Sequence, residues 1–95
     1  MRGYWINRVN VKDDESYKEY AKGAAIAIEK FRGRYLVRGG KFEIIEGKHE
    51  FIRNIVVEFE SVEVAKKCFE SKEYQKAKSF RIGKSDFNGI IIEGY

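Results

Sequence analysis

The sequence predicts an α+β domain of order β-α-β-β-α-β, with a four-stranded antiparallel sheet and two helices on one of its faces. Two apolar-alternating runs flank a Gly39-Gly40 pair, and Glu46-Gly47-Lys48-His49 then turns the chain into a third run that ends at Phe59. Apolar residues at helical spacing fill the segments after Asp13 and after Ser61. Period-2 runs separated by helical stripes, each bounded by glycine or a capping residue, define this order of elements. Right-handed crossovers then fold it into one sheet with its helices on a single side.

Gly3 to Val11 alternates as a strand, with Tyr4, Ile6 and Arg8 on one face and Trp5, Asn7 and Val9 on the other. Asp13 or Asp14 caps a helix running to about Arg32, on which Tyr17, Tyr20, Ala21, Ala24, Ile28 and Phe31 form one stripe. Gly33 is expected to stop it. A long strand bent at Gly39-Gly40 follows, from Arg34 to Glu46, because paired glycines between strand-like runs mark a bulge or bend. Its hairpin partner runs from Ile52 to Phe59. Ser61 caps a second helix with an inner stripe of Val62, Ala65, Cys68 and Phe69. Ser71 acts as a fresh cap, so this helix is expected to break there and restart through Tyr74, Ala77 and Phe80. Asp86 to Glu93, with Ile90-Ile91-Ile92, closes the sheet.

The strands divide into two faces. Trp5, Val9, Tyr35, Val37, Ile55, Val57, Phe59, Ile90 and Ile92 are expected beneath the helices. The opposite set mixes Tyr4, Ile6, Leu36, Val56 and Ile91 with Arg8, Arg38, Glu58 and Glu93. A face bare to water does not need five large apolar side chains, and a sealed core does not accept four charges. The expected compromise is a homodimer joined through this open sheet face at Ile6, Leu36, Val56 and Ile91. Taking the first and third strands as parallel neighbours places Arg8 and Glu58 at the same end, as an ion pair or as a ligand-binding pair.

Composition excludes several function classes. Ninety-five residues, 43% of them hydrophobic, make one globular domain covering 1–95. No apolar run approaches the ~20 residues that span a bilayer, so no membrane partner is expected. The N-terminus enters a strand pattern without a signal-peptide core, and a single cysteine excludes an internal disulfide, which makes the cytoplasm the expected address. The 19 basic residues are interleaved with 15 acidic ones, so the net charge of +4 forms no basic block and nucleic acid is not the expected partner. Abundant Lys, Glu and Ile resemble the bias of heat-adapted proteins, whereas the lack of Pro does not.

Few residues point to chemistry. His49, the only histidine, lies in a Gly-Lys-His-Glu turn; it is read as an exposed loop residue, with catalytic acid-base work as the alternative. One His, one Cys and scattered carboxylates lack the spacing of a zinc site. Cys68 reads as a small core residue. Arg38-Gly39-Gly40-Lys41 does not precede a helix, as a phosphate cradle requires. The candidate pocket lies between sheet and helices, with Trp5, Tyr17, Tyr35 and Tyr74 as walls and Asn7 and Arg38 as polar anchors. Arg38 there suits a carboxylate or enolate. The candidate catalytic residues are His49 and Glu58, and Arg8 joins the ligand-binding set.

Gly3-Tyr4-Trp5, Gly33-Arg34-Tyr35-Leu36-Val37-Arg38-Gly39-Gly40, Glu46-Gly47, Glu58-Phe59-x-Ser61 and Ser71-x-Glu73-Tyr74-Gln75-x-Ala77 together resemble the uncharacterised family called domain of unknown function 1330. The resemblance spans essentially the whole chain. It implies the dimeric α/β-barrel superfamily, whose ferredoxin-like subunits meet sheet to sheet. That superfamily includes cofactor-free monooxygenases, haem-degrading enzymes, chlorite dismutase-like proteins and small isomerases. Haem-degrading relatives carry a proximal histidine on a helix, and neither predicted helix has one, so no haem or other cofactor is expected. The expected function is to bind or convert a small aromatic or acidic molecule. An RNA-recognition module shares the element order, but the third strand lacks its glycine-aromatic signature. A non-catalytic regulatory or scaffolding dimer is the other alternative.

Overall fold

The computed structural model describes residues 1–95. The chain forms β1 (Gly3–Val11), α1 (Asp14–Lys30), β2 (Arg34–Arg38), β3 (Arg53–Phe59), α2 (Val62–Glu70), α3 (Lys72–Ser79) and β4 (Ser85–Glu93). The four strands make one sheet in the order β2-β3-β1-β4, and every neighbouring pair is antiparallel. This is the expected α+β ferredoxin-like architecture, with the second helix divided in two.

The helix boundaries follow from local chemistry. Asp13 caps α1, its Oδ1 accepting the Ser16 N–H at 3.2 Å. At the other end Arg32 takes a left-handed conformation (φ 58°), and the Gly33 N–H returns to the Ile28 carbonyl at 2.8 Å. Ser61 caps α2 through the Val64 N–H at 3.1 Å. Ser71 does two jobs at the break. Its hydroxyl donates to the Cys68 carbonyl at 2.6 Å and accepts the Tyr74 N–H at 3.1 Å. Its extended backbone, with ψ 153°, turns the chain between the end of α2 and the start of α3.

One core lies between the sheet and the helices. Trp5, Val9, Ile55, Val57 and Phe59 supply the sheet side, and α1 adds Tyr17, Tyr20, Ala24, Ala27 and Ile28. Ala65 and Cys68 come from α2, Tyr74 and Ala77 from α3. Burying this aromatic-rich set is the dominant stabilising term, at about 25 cal/mol per Å² of apolar surface.

Three expectations are corrected. The bent strand does not continue beyond Arg38. Gly39, at φ +70°, turns the backbone away while its N–H bonds the Asn54 carbonyl at 2.8 Å. β3, the sole neighbour of β2, begins only at Arg53, so the alternating Lys41–Glu46 segment has no strand to pair with, and residues 40–52 form an irregular connection. It leaves Phe42, Ile44, Ile45 and Ile52 exposed.

The second correction concerns faces. Trp5 pairs with Ile91, so Ile91 shares the helix side while Ile90 and Ile92 lie on the open side, exposed. In a run of three isoleucines composition cannot reveal parity; only register does. A bulge between Tyr35 and Val37 likewise swaps the end of β2, putting Val37 opposite Val56 on the open side and Arg38 opposite Ile55 on the helix side. The third correction is that β1 and β3 run antiparallel. Tyr4 opposes Glu58 and Arg8 opposes Asn54, which separates Arg8 and Glu58 to different ends of the pair.

Replacing Ser71 with Ala removes both hydrogen bonds at the helix break and should cost about 1 kcal/mol of stability. A lower urea midpoint at unchanged m-value is the expected result.

Candidate functional site

The inner face of β1 carries an unusual sequence for a core strand. Trp5 is buried, and its indole N–H donates to the Ala65 carbonyl at 3.1 Å, which ties the sheet to α2. Two residues on, Asn7 is a buried amide among apolar neighbours. It pairs across the ladder with Gly89 of β4, and a Cβ at position 89 would come within 2.7 Å of Asn7 Oδ1. The glycine therefore makes room for the amide to spread over β4.

The break at Ser71 aims α3 at this spot. Tyr74 meets the Trp5 ring edge-on with centroids 4.9 Å apart, and lies tilted against Phe69 of α2 at 5.3 Å. Its hydroxyl lies 2.8 Å from the Tyr20 hydroxyl of α1. Burial pushes the Tyr20 hydroxyl well above the usual phenol range, and the two hydroxyls share one hydrogen bond.

Beyond α3 the chain places Arg81 into the same region. Only 6% of this arginine is exposed. Its guanidinium carbon lies 3.5 Å from the Phe87 ring centroid and 5.1 Å from that of Tyr20, and its Nη2 donates to the Tyr74 hydroxyl at 3.3 Å. The Arg81 carbonyl accepts the Lys84 N–H at 2.9 Å, fixing the turn that leads into β4.

These residues line a half-open cavity of about 460 Å³ between β1, β4 and the α2–α3 corner. Trp5, Phe69, Tyr74 and Phe87 form its aromatic walls and Ile91 its inward aliphatic one, Gly89 leaves one side low, and Ile90 borders it from the edge of β4. Asn7, Lys78 and Arg81 are its polar members, and no carboxylate lines it. The volume and the apolar surround with few polar anchors match small-molecule sites in general.

The candidate residues named from the sequence are distributed unevenly. Trp5, Asn7 and Tyr74 border this cavity. Tyr17, Tyr35 and Arg38 border a separate cleft beneath α1, also reached by Trp5 and Asn7, with about 20 Å³ of space. That is room for about one water molecule. Within it Arg38 lies 4.2 Å above the Tyr35 ring. Arg8 sits on the opposite sheet face, 5.2 Å from the Phe51 ring. Glu58 is held by neighbours of its own: it accepts the Tyr4 hydroxyl at 3.1 Å and Arg34 at 3.2 Å, with Arg2 at 3.9 Å. His49 packs on Phe42 in the 40–52 connection, ring centroids 4.5 Å apart. The two candidate catalytic residues therefore lie apart from each other and from the cavity.

Sequence reasoning missed Arg81, Lys78, Phe87 and Gly89. For Arg81 a signal existed: Tyr74, Ala77 and Arg81 follow one helical stripe, and an arginine on an apolar stripe is a buried charge in waiting. Gly89 became meaningful only once register set it opposite Asn7. No group of three or more His, Cys, Asp or Glu side chains converges anywhere to hold a metal ion, and no helix is long and apolar enough to cross a membrane.

A family model described as domain of unknown function, DUF1330, matches residues 2–95, and the chain belongs to this family. Among curated proteins none matches it. Among solved structures, a protein of unknown function from Rhodopseudomonas palustris superposes with a TM-score of 0.79 at 16% identity, covering 99% of this chain and 82% of that one. SnoaB, a cofactor-independent oxygenase from Streptomyces nogalater, superposes with a TM-score of 0.66 at 8% identity, covering 99% and 93%. A dimeric protein of unknown function and ferredoxin-like fold from Bacteroides fragilis gives 0.65 at 10% identity, covering 98% and 96%. At these identities the likeness is one of fold.

Cys68, fully buried beside the cavity wall, has its thiol pushed by burial up to about 12 from 9.0. The folded chain keeps this proton in a pH range where the unfolded chain releases it. Stability contributed by the protonated thiol is thus complete below pH 9 and declines as pH rises towards 12. The native thiol should resist iodoacetamide at pH 8, and Cys68→Ala should flatten the alkaline decline of the urea midpoint relative to the parent.

Proposed function

We propose that the protein binds or converts a small aromatic or acidic molecule in the cavity beside α3, and that it does so as a homodimer joined through the open sheet face. The observation that carries the first part is the cavity itself: about 460 Å³, walled by four aromatic rings, with a buried arginine in its lining. Aromatic walls supply apolar contact and edge-to-face geometry for a planar guest. Asn7, Lys78 and Arg81 supply the polar groups that orient it.

The donor set bears on chemistry. The lining holds no His, Cys, Asp or Glu, and His49 lies in the 40–52 connection rather than on a helix. A conversion in this cavity would rest on the reactivity of the guest, with the cations and hydroxyls steadying charge as it develops. The description of the Streptomyces nogalater neighbour as a cofactor-independent oxygenase is compatible with that reading, at the level of fold.

The homodimer is supported by what the open face exposes. Leu36, Val37, Ile90 and Ile92 are exposed there, beside the half-buried Ile6 and Val56. Phe42, Ile44, Ile45 and Ile52 add apolar surface in the adjoining connection, and Ile45 is 94% exposed. A contiguous apolar surface of this kind marks an interface. The dimeric Bacteroides fragilis neighbour shares the fold.

In light scattering the protein should show twice the 11.1 kDa chain mass. Val56→Asp, which places an unpaired charge at the centre of the face, should shift it to the single-chain mass without loss of helical circular dichroism. A single-chain mass for the parent would remove the assembly from the proposal.

Trp5 is the sole tryptophan and borders the cavity, so its fluorescence reports occupancy directly. Small aromatic compounds should quench it saturably and raise the melting temperature by mass action. Aliphatic alcohols of similar size should do neither. A response to neither the aromatic nor the acidic members of a panel would refute the cavity reading.

A further inference from the structure

Arg81 is the feature of the cavity that its structural surroundings leave incomplete. It is more than nine-tenths buried, and its Nε is a buried donor without a hydrogen-bond partner. A guanidinium offers five N–H donors, and the one side-chain hydrogen bond that Arg81 makes is from Nη2 to the Tyr74 hydroxyl. No salt bridge reaches Arg81, and carboxylates of the adjoining elements pair with lysines instead: Glu73 with Lys30 at 2.6 Å, Asp86 with Lys12 at 3.2 Å, and Asp13 with Lys84 at 3.7 Å. A buried cation without a counter-ion is costly, and arginine cannot escape the cost by losing its proton. The faces of Phe87 and Tyr20 offset part of it through cation–π attraction. The remainder needs an anion.

Lys78 adds to the same wall, its Nζ 5.3 Å from the Phe69 ring centroid. Two cations and no carboxylate therefore face a cavity whose other walls are aromatic and aliphatic. We propose that the occupant is a small planar carboxylate held by the guanidinium of Arg81, with its ring between Trp5, Phe69 and Phe87. This inference rests on the cavity reading above and narrows it from aromatic or acidic molecules to those that are both. Lys78 adds a second attraction for the anion from the same wall, and the Tyr74 hydroxyl, bonded to Tyr20, holds Arg81 in place. Arg81 is thus the specificity-determining residue. An amide of the same shape presents a weaker acceptor and leaves the buried cation uncompensated.

The test uses benzoate against benzamide and phenylacetate against phenylacetamide, titrated into the intact protein with Trp5 fluorescence and melting temperature as readouts. Each carboxylate should bind at least tenfold more tightly than its amide. Arg81→Met should weaken carboxylate binding far more than amide binding and so abolish that preference, and Arg81→Lys, which keeps the charge without the planar fork, should restore part of it. Methionine has similar reach and removes an unpaired buried charge, so the variant is expected to fold; circular dichroism checks this, and if it fails the parent's carboxylate-to-amide ratio decides alone. Equal binding of carboxylates and amides, or an undiminished preference in Arg81→Met, overturns the role of Arg81 and leaves the cavity reading standing. Absence of binding by all four probes overturns both.

Discussion

Trp5 is the residue on which the remaining architecture depends. Its ring lies 5.0 Å from Phe59, 4.9 Å from Tyr74 and 6.5 Å from Phe69, and its N–H reaches the Ala65 carbonyl of α2. One side chain on the central part of the sheet thereby contacts a neighbouring strand and both short helices. An indole can do this because it combines a large apolar body with a single donor that must be satisfied when buried. Once the donor is spent on Ala65, α2 cannot slide along the sheet without orphaning it, and α3 inherits its position through Ser71. The cavity is the space left where the aromatic contacts turn the corner from α2 to α3. Its location is a consequence of how Trp5 is anchored.

The order of elements was legible because each signal was local. Caps at Asp13, Ser61 and Ser71 are read from the residue type and its spacing to the next apolar stripe, and the structure uses all three. What was not legible depended on pairing. The parity of Ile90-Ile91-Ile92 is decided by Trp5 opposing Ile91, and the side taken by Val37 and Arg38 is decided by a bulge within β2. Alternation along a single strand carries no information on either. The 40–52 connection misled for a related reason: its alternating Phe42 and Ile44 suit a strand, yet a strand needs a partner, and β3, the one neighbour of β2, begins only at Arg53.

The candidate site shows the same division. Trp5, Asn7 and Tyr74 are inward-facing by simple periodicity, and all three border the cavity. Arg81 follows the same stripe as Tyr74 and Ala77, but terminal arginines ordinarily cap helices from outside, so its burial was hidden behind a more common role. The structure gives the distinction physical content. Phe87 and Tyr20 flank the guanidinium, and the Tyr74 hydroxyl accepts one of its donors. Those groups are contributed by β4, α1 and α3, three elements that meet only in the folded chain.

A buried, incompletely bonded arginine is an unfavourable choice for a core that apolar residues could fill. Replacing a buried charge with a hydrophobic residue of similar size is often neutral or stabilising, so stability alone gives no reason for Arg81. The same holds for Asn7, whose amide requires a glycine across the ladder. Two polar residues thus occupy inward positions that Leu or Met would fill at lower cost, and both border one cavity. β4 then links that cavity to the opposite face. Ile91 is turned towards the helices while Ile90 and Ile92 are turned away from them, on adjacent positions of the same edge strand. A partner covering the open face, as proposed, would hold β4 from the outside and so restrain the wall that Ile91 and Gly89 form. In such a dimer the strand's alternation would tie assembly to the shape of the cavity, because neither face of an edge strand can shift without moving the other.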